Sequence, residues 1–334
     1  MIAAVCKDVD QPLVLQEVTT PKPGKGEVLI RVKAAALNHR DVWIQKGMYA
    51  GLRYPIILGS DCAGIVSSVG SSEHEHWIGK EVVVNPGFYW GDKEETHSRN
   101  FQILGLPQDG SFAEYVVVPE SQIHLKPVYM SWEQAAAIPL AGLTGHRALF
   151  LKGGIHKGSK VLITGIGGGV ALLMLQMAVA VGAEVYVTSS NEEKIQKAIK
   201  LGARLGVNYT ISGWHKLFQS AVEGFDVIVD SAAGEGFKHF VDLANPGGRI
   251  VFFGGTQGAI GSLNPQKIFW KQLSIYGTTM GSPTSFQEML HLFEDHQIQP
   301  VIHNVYNLNN IQMAMDEMDK GKQFGKLVVR VAES

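Results

Sequence analysis

The run Val161-Leu162-Ile163-Thr164-Gly165-Ile166-Gly167-Gly168-Gly169-Val170-Ala171 has the residue types and spacing best suited to chemistry in this 334-residue chain. It reads as a short apolar strand, a glycine-dense turn and the start of an apolar helix. Such a turn carries bare backbone N–H groups to a helix N-terminus, where their partial positive charge suits a pyrophosphate and the missing Cβ atoms allow close approach. A dinucleotide is the natural guest; an ordinary tight turn is the competing reading. The strict G-x-G-x-x-G spacing is not met, because the sixth position from Gly165 is Val170. With one extra residue in the turn, Gly168 and Ala171 take the second and third glycine roles, the third tolerating alanine.

The flanking sequence supports the dinucleotide. Helical periodicity runs over 172–181, Gly182 suits a C-cap, and 184–188 reads as a second strand, which completes a βαβ crossover. At the end of that strand an NAD-selecting site offers a carboxylate to the ribose 2′-OH. This chain has Thr188, Ser189, Ser190 and Asn191, with Lys194 one helical turn on. Hydroxyls and a lysine accept a 2′-phosphate that a carboxylate would repel, which points to NADP(H). The alternative, that Ser190 or Asn191 simply caps the following helix, is compatible with it.

The length suits two domains, each with its own core. A formal net charge of −2 with 18% charged residues leaves no basic footprint for nucleic acid. Two cysteines, Cys6 and Cys62, argue against a disulfide framework and a thiolate-rich metal site. No secretory signal and no long uncharged apolar run is evident, so a cytoplasmic protein that neither spans nor binds membrane is expected. From the start to about residue 120 the pattern is β-branched and turn-rich, with strands expected over 28–32, 64–69, 81–85 and 113–118. After Pro127 helices alternate with strands: helices over 132–138 and 145–150, the crossover, then strands over 226–230, 249–254 and 274–277. That alternation implies a parallel sheet covered by helices. Helices over 286–295 and 311–320 and a strand over 326–331 return to the first domain. The segment 86–110 is aromatic at Phe88, Tyr89 and Trp90 but aperiodic, and is expected as a surface lobe in which His97 is solvated.

Four motifs extend the argument: Gly24-x-Gly26-Glu27-Val28, Ala36-Leu37-Asn38-His39-Arg40-Asp41, Leu58-Gly59-Ser60-Asp61-x-Ala63-Gly64-x-Val66 and Asp109-Gly110-Ser111-Phe112-Ala113-Glu114-Tyr115. With these the chain resembles the medium-chain dehydrogenase/reductase superfamily over nearly its whole length, its quinone oxidoreductase and zinc-type alcohol dehydrogenase-like branch above all. The resemblance implies an α/β fold with a doubly wound parallel Rossmann sheet and a β-rich GroES-like catalytic domain, divided as 1–127 with 281–334 and 128–280. It also implies an active site in the cleft between the domains and a dimer or tetramer.

The departures from the family are informative. Its zinc-dependent members have Cys where this chain has Asn38, a His-Glu pair where it has Ser60 and Asp61, and a further ligand near Leu140; the cysteines of the structural zinc lobe are absent from 86–110. One carboxylate, Asp61, cannot make a tetrahedral zinc site, so no metal is expected. His39 and the pair His74 and His76 are read as solvated or hydrogen-bonded.

By resemblance, Asn38 and Asp41 stand at the substrate or cofactor ribose, Trp43 and Tyr49 form the pocket wall, and the Tyr49 hydroxyl is a donor. Asp61 belongs to the same substrate pocket. Asn38, Asp41 and Tyr49 are the candidate catalytic residues. The competing reading has Asn38 and Asp41 cap a helix and Trp43 belong to the core, an even alternative for Asp41, whereas function is favoured for Asn38 because it stands where the metal-dependent relatives have a zinc ligand. Arg40 and Arg53 are expected as surface charges. Gly167, Gly168, Gly169 and Val170 are implied at the pyrophosphate, with Ser189, Ser190, Lys194 and Tyr209 at the 2′-phosphate and Phe253, Gly254 and Gly255 at the nicotinamide. Thr144 is implied at the cofactor and Lys326 at its adenosine end, against a core role for Tyr209 and a surface role for Lys326. The implied activity is zinc-free hydride transfer from NADPH to a small quinone, enone or related carbonyl compound. A zinc-free aldehyde or alcohol oxidoreductase and a non-catalytic NADPH-binding protein are the alternatives.

Overall fold

The computed structural model describes residues 1–331. The chain forms two compact units, Met1–Ala141 with the described residues from Gly281 onward, and Gly142–Met280. The division therefore falls after Ala141, where the sequence pattern suggests Pro127. Segment 128–141 stays with the first unit because helix Trp132–Ala136 packs on strands Glu27–Ala36 and Asp61–Val69, burying Ala135 and Ala136 completely. Its start is set by reciprocal hydrogen bonds: Ser131 Oγ accepts from Gln134 N, and Gln134 Oε1 accepts from Ser131 N.

The first unit is built on a largely antiparallel sheet in the order Ile123–Leu125, Glu81–Val84, Asp61–Val69, Glu27–Ala36, Lys326–Arg330, Ile302–Asn307, with Tyr115–Pro119 also pairing with Glu27–Ala36. Valine and isoleucine at every second position supply the buried face, including Val28, Ile30, Val32, Val82, Val84, Val116 and Val118. The register at the end of the central strand is decisive for the polar residues beyond it. Ala36 faces Asp61 on one side and Val328 on the other, so the chain after Ala36 is bracketed by Asp61 and by Lys326.

Segment 86–110 is more ordered than its aperiodic sequence suggests. Strands Gly87–Phe88 and Gln102–Ile103 pair, and Phe88, Leu104 and Leu106 join the core of the unit. His97 is exposed, stacked on Phe101 at 4.8 Å. The irregularity arises because side chains from both ends of the loop pack inward without a repeating backbone period.

The second unit is a six-stranded parallel sheet in the order Leu205–Asn208, Glu184–Ser189, Lys160–Ile163, Phe225–Asp230, Ala244–Phe252, Ser274–Gly277. This is the doubly wound Rossmann arrangement, with a reversal of winding between Lys160–Ile163 and Phe225–Asp230. Helix Gly169–Ala180 is apolar on nearly every side and buries Leu172, Leu173, Met174, Leu175 and Met177, as an enclosed helix must. It stops where Gly182 adopts φ +79°, the left-handed turn that a glycine accepts without strain. Helix Pro139–His146 runs on into a wider π-helical turn over Arg147–Lys152, where the sequence pattern suggests a regular helix over 145–150. No helix among the described residues is long and apolar enough to cross a membrane.

Candidate functional site

In the second unit the glycine turn occupies the reversal point of the sheet. Gly165 and Gly167 have φ of +65° and +123°, conformations that a side chain would strain. Helix Gly169–Ala180 begins at Gly168 with no side-chain cap, and its first ring closes from Leu172 N to Gly168 O. The N–H groups of Gly169, Val170 and Ala171 precede that bond and have no acceptor within the helix. A Cβ at Gly168 would meet nothing nearer than Gly165 O at 3.9 Å, so the space before these donors is open. Open space, uncapped donors and a helix dipole together fit a pyrophosphate.

The residues expected around the ribose gather beside this turn. Ser189 is buried and its hydroxyl donates to Ile166 O, whereas Ser190 is exposed. Asn191 caps helix Glu192–Lys200 by accepting from Lys194 N, which realises the capping alternative. The Lys194 stem lies over the turn, since a Cβ at Gly167 would sit 2.7 Å from its Cδ. Desolvation, then Lys197, holds the Lys194 pKa below the usual lysine value. Tyr209 donates its backbone N–H to Ser189 O and is 43% exposed, so its ring is not core.

Phe253, Gly254 and Gly255 line a concavity of about 440 Å³ together with Gly277 and Thr278. The Thr278 hydroxyl is buried there without a hydrogen-bond partner among the described residues, a polar atom that a bound ligand would satisfy. No motif in the sequence points to it. Asp230 is likewise silent in the sequence: it accepts from Thr164 Oγ1 at 2.6 Å and from the N–H groups of Ala232 and Ala233. It thereby joins the ends of the two strands at the reversal point, and burial raises its pKa. Thr144 is buried and donates weakly to Met280 Sδ.

In the first unit, Asn38, Asp61 and Lys326 meet in one buried cluster. Asp61 Oδ2 accepts from Asn38 Nδ2 at 2.9 Å and from Lys326 Nζ at 3.1 Å, and Oδ1 accepts from Leu140 N at 2.8 Å. Lys326 Nζ also donates to Asn38 Oδ1 and Leu37 O at 2.7 and 2.8 Å. Its three N–H donors are all engaged and its side chain is 3% exposed, which leaves no donor for a further partner. The pairing of Ala36 with both Asp61 and Val328 produces this meeting.

Asp41 is fully buried on helix His39–Gln45. Its Oδ2 accepts the Asn38 N–H at 2.8 Å, so it does close the helix start, while Oδ1 has no partner among the described residues. Burial, opposed mainly by the Arg40 charge, pushes its pKa up to about 6. Tyr49 and Trp43 are half-buried, with Tyr49 against the core and its hydroxyl lacking a partner among the described residues. His39 is exposed and tilted against the Trp43 ring.

Arg40 corrects the sequence reading: it is 6% exposed, where a surface charge was expected, and Arg53 alone of the two is exposed. Arg40 Nη1 donates to Ser60 Oγ at 2.7 Å and Leu104 O at 2.8 Å, and its guanidinium lies 5.2 Å from the Tyr49 ring centre. Segment 86–110, through Leu104, covers it.

Zinc does not fit this donor set. Among Asn38, Ser60, Asp61 and Leu140, Asp61 is the sole carboxylate, and it is already paired with the Lys326 ammonium group at 3.1 Å. Among the described residues no group of three or more His, Cys, Asp or Glu side chains could hold a metal ion. His74 lies near Glu73 and Glu120 at 3.5 and 3.7 Å, His76 is exposed, and Cys6 and Cys62 are buried free thiols. Desolvation pushes the Cys6 thiol up to about 11.

Residues 24–128 match the family profile described as alcohol dehydrogenase GroES-like domain, and residues 169–295 match that described as zinc-binding dehydrogenase. The zinc-type alcohol dehydrogenase-like protein YogA of Leptosphaeria maculans is 35% identical, over 96% of this chain and 95% of its own. The acryloyl-coenzyme A reductase of Sulfurisphaera tokodaii is 31% identical, over 99% of this chain and all of its own length (100%). A crystal structure of an NAD-dependent alcohol dehydrogenase superposes with a TM-score of 0.93 at 36% identity, covering 99% of this chain and 100% of that one. Fold, motifs and full-length similarity agree, and the chain belongs to the medium-chain dehydrogenase/reductase superfamily of oxidoreductases.

Proposed function

We propose that the protein reduces a small quinone, enone or related α,β-unsaturated carbonyl compound with NADPH, without zinc. The observation that carries this reading is the buried Asp61 carboxylate paired with the Lys326 ammonium group and held by Asn38 and the Leu140 N–H. Alcohol oxidation profits from a Lewis acid on the hydroxyl, and a conjugated acceptor needs that help far less. A relative named for acryloyl-coenzyme A reduction supports a conjugated acceptor.

A bound nicotinamide supplies the hydride. The uncapped start of helix Gly169–Ala180 binds the pyrophosphate; Ser189, Ser190, Lys194 and Tyr209 take the 2′-phosphate; Phe253, Gly254, Gly255 and Thr278 border the nicotinamide; and Thr144 contacts the cofactor. In the first unit the acceptor oxygen gains negative charge and needs donors. Tyr49 offers its free hydroxyl and Asn38 the amide hydrogen not used on Asp61. Asp41 holds or releases a proton at Oδ1 near neutral pH, where its raised pKa makes exchange efficient. Trp43 walls the pocket, Asp61 orients Asn38, and Lys326 neutralises Asp61. Losing one oxyanion donor typically lowers the rate on the order of 100-fold to 1000-fold.

The test is turnover of NADPH and of NADH with a panel of quinones, enones and simple aldehydes, alongside metal analysis of the purified protein. Preference for conjugated acceptors and NADPH, with no zinc, supports the reading. Tight NADPH binding with no turnover of any acceptor, or stoichiometric zinc, refutes it. Reversible aldehyde reduction is the second reading, favoured by the NAD-dependent alcohol dehydrogenase of matching fold; faster turnover of simple aldehydes than of enones would select it.

A further inference from the structure

Arg40 holds a permanent positive charge in a nearly closed site, yet it makes no ion pair with any described residue. Of the two buried carboxylates nearby, Asp61 is bonded to Lys326, Asn38 and Leu140. Asp41 spends Oδ2 on the Asn38 N–H and acts on Arg40 only through space. One end of the guanidinium is fixed, because Nη1 donates to both Ser60 Oγ and Leu104 O. The Tyr49 ring covers one of its faces. The opposite edge is unused: Nε is buried with no acceptor, and Nη2 has no hydrogen-bond partner among the described residues.

The Nε–H and Nη2–H bonds of a guanidinium lie in one plane and run nearly parallel, matching the two oxygens of a carboxylate. A single carbonyl oxygen satisfies that edge only in part. A buried charge without a counter-ion is also costly, and a permanently anionic ligand offsets that cost on binding, whereas a neutral acceptor does so only as charge develops. We propose that the buried, unpartnered Nε–Nη2 edge of Arg40, anchored through Nη1 by Ser60 and Leu104, is a carboxylate-binding fork, so that the preferred acceptor is a conjugated carbonyl compound bearing a free carboxylate. This rests on the reading of the first unit's polar cluster as the acceptor site. Arg40 then binds and orients the acceptor.

The experiment compares trans-4-oxo-2-pentenoate with its methyl ester. Wild-type kcat/KM is expected to favour the acid by about 10-fold to 100-fold, the range of a charge-assisted bidentate contact. In Arg40→Met the acid-to-ester ratio falls to about one, and Arg40→Lys, a point charge without a fork, restores only part of it. Because Arg40 also holds Ser60 and Leu104, a folding defect in the variants is bypassed with wild-type protein. Levulinate, the saturated analogue, should bind by calorimetry and methyl levulinate should not. Brisk turnover with equal kcat/KM for acid and ester overturns the fork while leaving the reductase reading intact. With no turnover of either acceptor, the wider acceptor panel decides the reductase reading, and levulinate binding decides the fork by itself: its absence overturns the proposal. Weakened NADPH binding in Arg40→Met, with an unchanged acid-to-ester ratio, assigns the edge to the cofactor phosphates and overturns the proposal.

Discussion

Replacing Lys326 by Met leaves Asp61 as a buried carboxylate without its cation. The ammonium group donates to Asp61 Oδ2 at 3.1 Å, Asn38 Oδ1 at 2.7 Å and Leu37 O at 2.8 Å, with side-chain exposures of 3% for Lys326 and 0% for Asp61. Only the Leu140 N–H and Asn38 Nδ2 then remain on the carboxylate. Removing one partner of a buried pair costs about 3–5 kcal/mol, because the other charge stays uncompensated. Asp61→Asn should cost a similar amount by stranding the ammonium. The double substitution removes both charges together and should fall short of the summed single effects by at least about 2 kcal/mol, as expected for residues in direct contact. Equilibrium urea unfolding at neutral pH, read from the midpoint at constant slope, measures each term. Lys326→Met within about 1 kcal/mol of wild type, or additive single and double effects, would refute the reasoning that the pair is a closed electrostatic unit.

Three other perturbations have outcomes set by the geometry. Asp41 has its pKa raised from 3.8 to about 6 by burial, so it favours the fold while protonated. That contribution is lost as pH rises through about 6, leaving a penalty of about 3 kcal/mol above it. Asp41→Asn keeps an acceptor for the Asn38 N–H and should gain stability over wild type between pH 4 and pH 7; parallel thermal-melting profiles would contradict this. Gly168→Ala adds a methyl group to open space at φ −72°, so melting should shift little while NADPH affinity by calorimetry drops at least about 10-fold where a pyrophosphate must approach. Lys194→Ala should weaken NADPH by about 10-fold to 100-fold, the worth of a charge-assisted contact, and leave NADH nearly unchanged; equal losses for both coenzymes would remove Lys194 from the 2′-phosphate.

Much of the second unit was legible because its signals are local. The apolar run 161–163, the glycine cluster and the apolar helix lie within one βαβ crossover, and the strands at 226–230 and 274–277 were visible as β-branched runs between turn residues. The domain boundary was less legible. Segment 128–141 begins the helix-and-strand rhythm in sequence, yet its short helix is drawn to the first unit by alanines that fit closely on two strands. In segment 86–110 no period could announce that Phe88, Leu104 and Leu106 reach the core.

From the amino acids alone came the two-domain α/β plan, the nucleotide turn and the loss of zinc-type donors, because periodicity, glycine spacing and side-chain chemistry are properties of neighbouring residues. Only the tertiary structure determined the company each charged group keeps. Lys326 and Asp61 are 265 positions apart and Asp61 and Leu140 are 79 apart, and strand register, a non-local property, brings them into contact. Arg40 carries the same lesson: an arginine on a short helix is ordinarily exposed, and its burial depended on Leu104, 64 positions away, being folded back over it.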